Sequence, residues 1–248
     1  MIRKATVIVI LLIFACIGVY AGGSKPPEKI LIIGDSLTGW NGGLDRHLEE
    51  LASSASPPMN IDAYQFYKGS TSLKSFWQNT TLHELIDEGG YDVIVIQDDV
   101  RLIDLATFHE YTRKFVVKSK EVKAKPVLFM GWNYMTKKRF EWATMDVIIQ
   151  ANDDIANELN ISIIPVGLAI ENTKKERPNL TLIMHDNIHT TIHGTYLSAC
   201  VSYATIFGKN PIGLSYIPVG YTEDEITEEE AAFLQHIAWE TVQEHQSQ

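Results

Sequence analysis

Short apolar runs recur along the chain, separated by longer segments in which apolar residues appear every three or four positions. The apolar runs, at 29–33, 60–67, 91–96, 126–131 and 161–166, predict five strands. The remaining segments predict amphipathic helices, at 42–53, 73–88, 104–120, 140–159, 168–175 and 191–207. Strands that alternate with helices in this way predict an α/β fold, with a parallel sheet covered by helices on both faces.

The C-terminal segment departs from this alternation. Thr227 and Glu230 form a capping-box pattern before apolar residues at helical spacing, which predicts a helix at 227–245. The chain has 248 residues, of which 45% are hydrophobic, and this is enough for one sizeable core. We therefore treat 28–248 as a single domain that includes the C-terminal helix.

The N-terminal residues have the organisation of a secretion signal. Arg3 and Lys4 precede an uninterrupted apolar run at 6–20, and Ala21 ends a small-residue cleavage pattern. We predict a signal peptide at 1–21 and a secreted or periplasmic protein. Two alternatives stay open: the run is retained as a short membrane anchor, or the chain is lipidated at Cys16.

The net charge limits the classes of partner, and the cysteine content limits the disulfides that can form. The net charge of −10 at pH 7 argues against nucleic acid and anionic lipid, and it is compatible with a hydrolase that acts on a neutral substrate. Removal of 1–21 would leave Cys200 as the only cysteine, so the domain would contain no intramolecular disulfide.

Four of the predicted strands are followed by residues that can contact a ligand. They are Ser36, Gly69, the run Gln97-Asp98-Asp99 and the pair Trp132-Asn133. Ligands bind at the carboxyl ends of the strands in open parallel sheets, so we expect these residues at one binding edge. Ser36 lies between a strand and a helix, an arrangement that exposes a nucleophilic hydroxyl. The same stretch is compatible with a serine that only caps the helix.

A serine nucleophile requires a base, and the base requires a group that orients it. Asp186 and His189 lie three residues apart in one predicted loop, so the carboxylate can meet the imidazole. His185 and His193 compete for the role of base, but neither has an acidic residue three positions before it. Taken alone, this loop is also compatible with a polar surface turn.

Two motifs at opposite ends of the predicted fold resemble the GDSL, or SGNH, hydrolase superfamily. The stretch Gly34-Asp35-Ser36-Leu37 resembles the first sequence block of that superfamily, and Asp186-x-x-His189 resembles the last one. Gly69 is similar in position to the glycine of the second block. The resemblance extends over about 29–216 and is strongest to exported, bacterial-type members.

This resemblance implies a flavodoxin-like, three-layer α/β/α fold with a five-stranded parallel sheet. It also implies ester hydrolysis through an acyl-serine intermediate, with no metal or other cofactor. By position, Ser36 would be the nucleophile, His189 the general base and Asp186 the residue that orients His189. The backbone N–H groups of Ser36 and Gly69 would contribute to the oxyanion hole.

The third block departs from the pattern of the superfamily. An asparagine usually supplies a third oxyanion donor there, whereas this chain has Gln97-Asp98-Asp99 after the third strand. An ionised aspartate accepts hydrogen bonds and cannot donate them. We therefore predict that the Gln97 amide takes this role, with Asn133 as the alternative.

Aromatic residues near the strand ends, Trp40, Trp132 and Tyr134, are candidates for a sugar-binding platform. No segment resembles a long hydrophobic lid, which favours a small acyl group such as acetyl. We expect a serine esterase that acts on a carbohydrate or related small ester. The alternatives are a non-catalytic carbohydrate-binding or surface protein, and a lipase or phospholipase of the same superfamily. The expected partner is a glycan or small-molecule ester, with no nucleic acid and no membrane beyond an N-terminal anchor.

Overall fold

The structure is a computed structural model that describes residues 25–98, 104–133, 142–221 and 225–247. The predicted signal peptide at 1–21 lies outside these ranges, as do Asp99 and Tyr134. Within them, no helix is both long enough and apolar enough to cross a bilayer.

The described ranges contain five strands and nine α-helices. The strands are β1 (Lys29–Gly34), β2 (Asp62–Tyr67), β3 (Val93–Ile96), β4 (Lys125–Phe129) and β5 (Ser162–Ile164). The helices are α1 (Ser36–Gly39), α2 (Leu44–Ser53), α3 (Leu73–Trp77), α4 (Thr80–Gly89), α5 (Leu105–Glu121), α6 (Met145–Leu159), α7 (Val166–Glu176), α8 (Ile192–Phe207) and α9 (Glu228–Gln246). A short 3₁₀ turn, Trp40–Gly42, follows α1.

All five strands run parallel, in the spatial order β2-β1-β3-β4-β5. This order is that of the flavodoxin-like doubly wound fold. β3 is buried along its whole length, and β1 is buried except at Lys29, because helices cover both faces of the sheet. The predicted α/β class and the five-stranded parallel sheet are confirmed.

Two groups of helices form the outer layers. One group contains α2, α7, α8 and α9, and the other contains α3, α4, α5 and α6. α8 is buried from Ile192 to Ile206 because it contacts both the sheet and α9. α9 begins at a complete capping box, in which Glu230 N donates to Thr227 Oγ1 and Thr227 N donates to Glu230 Oε2.

Several predicted boundaries differ from the observed ones by a few residues, and two of the differences have a clear local cause. β5 ends at Ile164 and Pro165 caps α7, so the strand predicted at 161–166 was too long. Proline has no N–H to donate to a sheet, and its fixed φ suits the start of a helix. α6 begins at Met145 rather than at 140, because the Thr144 side chain caps the helix at that point.

The strand register brings the ends of β1, β2 and β3 together. Gly34, the last residue of β1, is paired with Tyr67 of β2. Ile33 is paired with Ile96 of β3, and its carbonyl accepts a hydrogen bond from Gln97 N at 2.9 Å. The residues that follow these three strands therefore share one edge of the sheet, where ligands of such folds bind.

The turn after β1 is fixed by the Gln97 side chain. The buried side-chain carbonyl of Gln97 accepts a hydrogen bond from Asp35 N at 2.7 Å. A Cβ on Gly34 would lie 2.6 Å from the same oxygen and would overlap Thr38 Oγ1. Glycine is therefore required at position 34 because no side-chain atom fits between Gln97 and Thr38.

Replacing Gly34 by alanine should lower the free energy of unfolding by roughly 1–3 kcal/mol, because the added methyl group displaces Gln97 or Thr38. Gly69→Ala is the matched control, since its Cβ would meet the Tyr67 hydroxyl oxygen at an ordinary contact of 3.4 Å. Urea denaturation of both variants measures the difference. Equal stability of the two variants would show that the turn does not depend on this close approach.

Candidate active site

Ser36 is the first residue of α1 and lies just beyond the end of β1. The preceding residue, Asp35, caps the helix: its Oδ1 accepts from Leu37 N at 2.9 Å, and its carbonyl accepts from Gly39 N at 2.9 Å. Ser36 itself retains 7% exposure. The interpretation of Ser36 as the helix cap was therefore wrong, because Asp35 has that role and the Ser36 hydroxyl is left for other contacts.

Asp186 and His189 form a close pair. His189 Nδ1 lies 2.6 Å from Asp186 Oδ2, while Asp186 Oδ1 accepts from the backbone N–H groups of Ile188 and His189 at 2.8 and 3.0 Å. Burial opposes ionisation of the carboxyl group, but these hydrogen bonds outweigh it and lower the pKa of Asp186 below its usual value. The ionised carboxylate therefore accepts from Nδ1–H and leaves Nε2 of the ring facing away from it.

Short-range hydrogen bonds close the loop that carries this pair. Met184 N donates to the His189 carbonyl, and Asn187 N donates to the Met184 carbonyl, both at 2.8 Å. Asn187 has a φ of 57°, in the left-handed region that asparagine tolerates. The indole N–H of Trp132 donates to the Ile188 carbonyl at 2.9 Å. The loop is therefore fixed by its own bonds and by the segment that follows β4.

The 3₁₀ turn after α1 contacts this histidine loop directly. The Trp40 ring stacks on the His189 ring, with centroids 4.1 Å apart and planes inclined by 19°. Asn41 Nδ2 donates to the Thr190 carbonyl at 3.0 Å and to Thr195 Oγ1 at 2.9 Å. Two segments that are 149 positions apart in the sequence are thereby joined.

Ser36 and His189 both belong to the described residues, and no hydrogen bond joins the serine hydroxyl to the imidazole there. Catalytic hydrogen bonds of this kind are often long or poorly aligned before substrate binds. The structure places the two residues in the same region, because Ser36 precedes the turn that carries Trp40, and the Trp40 ring stacks on His189. Their joint role in catalysis stays a prediction.

Asn41 is held by a partly buried network that the sequence did not predict. Asn41 has a φ of 52°, and its carbonyl accepts from His47 Nε2 at 2.8 Å and from the Tyr221 hydroxyl at 2.7 Å. His47 Nδ1 lies 2.8 Å from the Tyr216 hydroxyl and accepts its hydrogen, because Nε2 carries the ring hydrogen. Burial lowers the pKa of His47, so the ring is neutral at neutral pH. The available signal was a histidine on the apolar face of the helix predicted at 42–53.

The predicted oxyanion donors lie at the same edge of the sheet. Gly69 is exposed and follows β2 by two residues. Gln97 is 1% exposed, and its amide accepts from Asp35 N and donates to a neighbouring backbone carbonyl. Its side-chain oxygen is thus committed to the turn before Ser36, and one amide hydrogen is committed to the Asp98 carbonyl. A role in the oxyanion hole would use the other amide hydrogen. Asn133 is half-buried in the segment after β4.

The predicted sugar-binding platform requires correction. Trp132 is 2% exposed, so its ring is unavailable to a sugar, and the prediction was wrong for this residue. Its indole ring packs in the core, and the indole N–H donates a hydrogen bond to the histidine loop. Trp40 is half-buried and has one face covered by His189.

The two competing histidines have different surroundings. His185 is exposed, whereas His193 is buried at the start of α8, 3.4 Å from the carboxylate of Glu230. His189 is therefore the histidine of this region that is paired with Asp186. In the part of the chain that the structure describes, no group of three or more His, Cys, Asp or Glu side chains is arranged to hold a metal ion.

Replacing Asn41 by glycine removes its side-chain bonds to Thr190, at the end of the histidine loop, and to Thr195 of α8. Glycine retains the left-handed backbone. Hydrolysis of p-nitrophenyl acetate, the activity expected from the sequence, should fall about tenfold or more because His189 is no longer held in one position. Asn172→Ala is the control, since it removes one hydrogen bond between α7 and α9, to Thr241. An equal loss of activity in both variants would contradict a positioning role for Asn41.

No family model matches the sequence, and no curated protein matches it. Solved structures do match. A DUF4886 family protein from Bacteroides uniformis superposes with a TM-score of 0.72 at 18% identity, over 87% of this chain and 95% of that chain. A proposed SGNH hydrolase from Slackia heliotrinireducens gives 0.60 at 16% identity, over 72% and 98% of the two chains. Axe2, an acetylxylan esterase from Geobacillus stearothermophilus, gives 0.57 at 17% identity, over 71% and 92%.

At identities of 16–18%, these comparisons show a common fold only. The role of each residue has to be argued from the chemistry of the site. The five-stranded parallel sheet and its two helical layers are common to this chain and its neighbours. The resemblance seen in the sequence is confirmed at that level: the chain has the three-layer α/β/α fold of the SGNH hydrolases.

Proposed function

We propose that the protein is a serine esterase that removes a small acyl group, preferably acetyl, from a carbohydrate or related small ester. The observation that carries this proposal is the Asp186–His189 pair, 2.6 Å apart, whose imidazole stacks on Trp40 in the turn following Ser36. An oriented imidazole close to a strand-end serine is what acyl transfer through serine requires. Esterases and SGNH hydrolases among the fold neighbours support hydrolase chemistry.

In the proposed reaction, Ser36 Oγ attacks the ester carbonyl carbon while His189 Nε2 takes the hydroxyl proton. The ionised Asp186 stabilises the imidazolium that forms, because it accepts the hydrogen bond from Nδ1. His189 then returns the proton to the departing alcohol oxygen, and an acyl-serine remains. Water, which loses a proton to His189, then attacks the acyl-serine carbonyl carbon. His189 returns that proton to Ser36 Oγ as the acyl–oxygen bond breaks, so the carboxylic acid leaves and the free serine is restored.

The charge that develops on the ester oxygen requires hydrogen-bond donors. The N–H of Ser36 belongs to the first turn of α1, where backbone donors have no partner within the helix. The Gly69 loop lies beside it because β2 and β1 are paired up to Tyr67 and Gly34. We propose these two N–H groups as donors, with an amide from Gln97 or Asn133 as the third.

The substrate class follows from chemistry and from the neighbours. Axe2 and a second neighbour are acetylxylan esterases, which supports an acetylated carbohydrate as substrate. The net charge of −10 favours an uncharged ester over an anionic one. A signal peptide at 1–21 would deliver such an enzyme to glycans outside the cytoplasm.

A second candidate is a non-catalytic protein of the same fold that binds carbohydrate. The observation that favours it is the lack of a direct hydrogen bond between Ser36 and His189 within the described structure. The two candidates differ in one property, since only the esterase turns over an ester.

Ser36→Ala should lower kcat for p-nitrophenyl acetate by at least roughly a thousandfold, because removal of a serine nucleophile eliminates the acyl-enzyme route. Ser54→Ala is the control, since it removes a hydroxyl that bonds the Leu51 carbonyl at the end of α2. Retained hydrolysis in Ser36→Ala would contradict the nucleophile assignment. Absence of turnover in the unmodified protein, with binding of the acetylated glycan, would support the second candidate.

A further inference from the structure

Two tyrosines of the edge strand β2 are exposed to nearly the same extent, Tyr64 at 48% and Tyr67 at 51%. Tyr67 is the last residue of the strand and is paired with Gly34, so it lies at the edge where the strands end. Tyr64 is paired with Leu31, three residues farther from that edge. The two side chains therefore differ in their position relative to the candidate site and not in exposure.

The Tyr67 ring packs directly on the backbone of α1. A Cβ added to Gly39 would overlap Tyr67 Cδ2 and Cε2. Gly39 has a φ of −95° and a ψ of −5°, which lie in the right-handed region open to any residue. Glycine at position 39 is therefore required for space rather than for backbone conformation, and the Tyr67 ring occupies that space.

The same ring borders the end of the turn that Ser36 begins and, on its other side, the position of Gly69. Gly39 ends the helical turn that Ser36 begins, and residues three apart in a helix lie on the same side. At the other end of the ring, the Tyr67 hydroxyl oxygen lies 3.4 Å from the place that a Cβ of Gly69 would take. An aromatic ring, half of it open to solvent, thus lies beside both the nucleophile turn and the candidate oxyanion donor.

We infer that the exposed part of the Tyr67 ring is a subsite for the sugar ring on the alcohol side of the ester. This inference rests on the proposed function. A pyranose is uncharged, and its C–H face packs on an aromatic ring while its hydroxyl groups remain in water. Because Tyr67 is open to solvent, it suits a leaving group that extends out of the site rather than a small enclosed acyl group.

The aromatic residues first predicted for this role are less available. Trp132 is buried, and the Trp40 ring has one face covered by His189. Tyr67 has an exposed ring that packs on the turn beginning at Ser36. It is therefore a better candidate for the sugar-binding surface than either tryptophan.

Two acetate esters distinguish a sugar subsite from a general effect on catalysis. Ethyl acetate has a leaving group without a ring, whereas xylose tetra-acetate carries a pyranose. Tyr67→Ala should lower kcat/KM for xylose tetra-acetate about tenfold more than kcat/KM for ethyl acetate, with the difference in KM. Tyr67→Phe retains the ring face, so the ratio of kcat/KM between the two esters should match that of the unmodified protein. Tyr64→Ala changes a residue away from the site and should match the unmodified protein on both esters.

An equal loss on the two esters in Tyr67→Ala would overturn the subsite, as would a loss of the same size in Tyr64→Ala. A loss in Tyr67→Phe as large as in Tyr67→Ala would also overturn it, because the hydroxyl rather than the ring face would then be responsible. Hydrolysis of ethyl acetate that Ser36→Ala abolishes tests the proposed function separately, so the subsite can fail while the esterase assignment stands.

Discussion

The contact between the turn at Trp40–Gly42 and the loop that carries His189 is the interaction on which the candidate site depends. Ser36 is positioned by β1 and the Asp35 cap, while His189 is positioned by a loop that closes on itself. Neither arrangement alone fixes one residue relative to the other. The ring stack of Trp40 on His189 and the side-chain bonds of Asn41 couple them. Displacements of about 1 Å between reacting groups change rates strongly, so this contact, more than the sheet, determines what the site can do.

A polar network around the buried His47 makes this contact specific. Buried polar groups destabilise a fold unless they are hydrogen-bonded, and the Asn41 carbonyl and both ring nitrogens of His47 have partners. Burial raises the pKa of Tyr216 to about 12, so its hydroxyl remains a neutral donor to His47. The Tyr216 carbonyl accepts from the Tyr196 hydroxyl, which accepts from Gln235 of α9. The C-terminal helix is in this way connected to the turn that follows Ser36, which gives it a role in the site as well as in the core.

The sequence predicted best those features that depend on neighbouring residues. Strands follow from apolar runs, the start of α9 from the Thr227–Glu230 spacing, and the Asp186–His189 contact from two side chains three positions apart in one loop. It predicted poorly what depends on packing between distant segments. The sequence does not indicate that Trp132 turns into the core, that Gln97 bonds Asp35, or that Gly39 makes room for Tyr67. The last two depend on strand register, which brings together residues that are far apart in the chain. The position of Trp132 depends on its contact with the histidine loop.

The central claim is that Ser36 is a nucleophile activated where this turn meets the histidine loop. A fluorophosphonate forms a stable covalent adduct with an activated serine, and it requires no knowledge of the natural substrate. Mass spectrometry of the treated protein and of its peptides locates any adduct. We expect a single adduct, on the peptide that contains Ser36. A protein that stays unlabelled, or that is labelled at another residue, would contradict it.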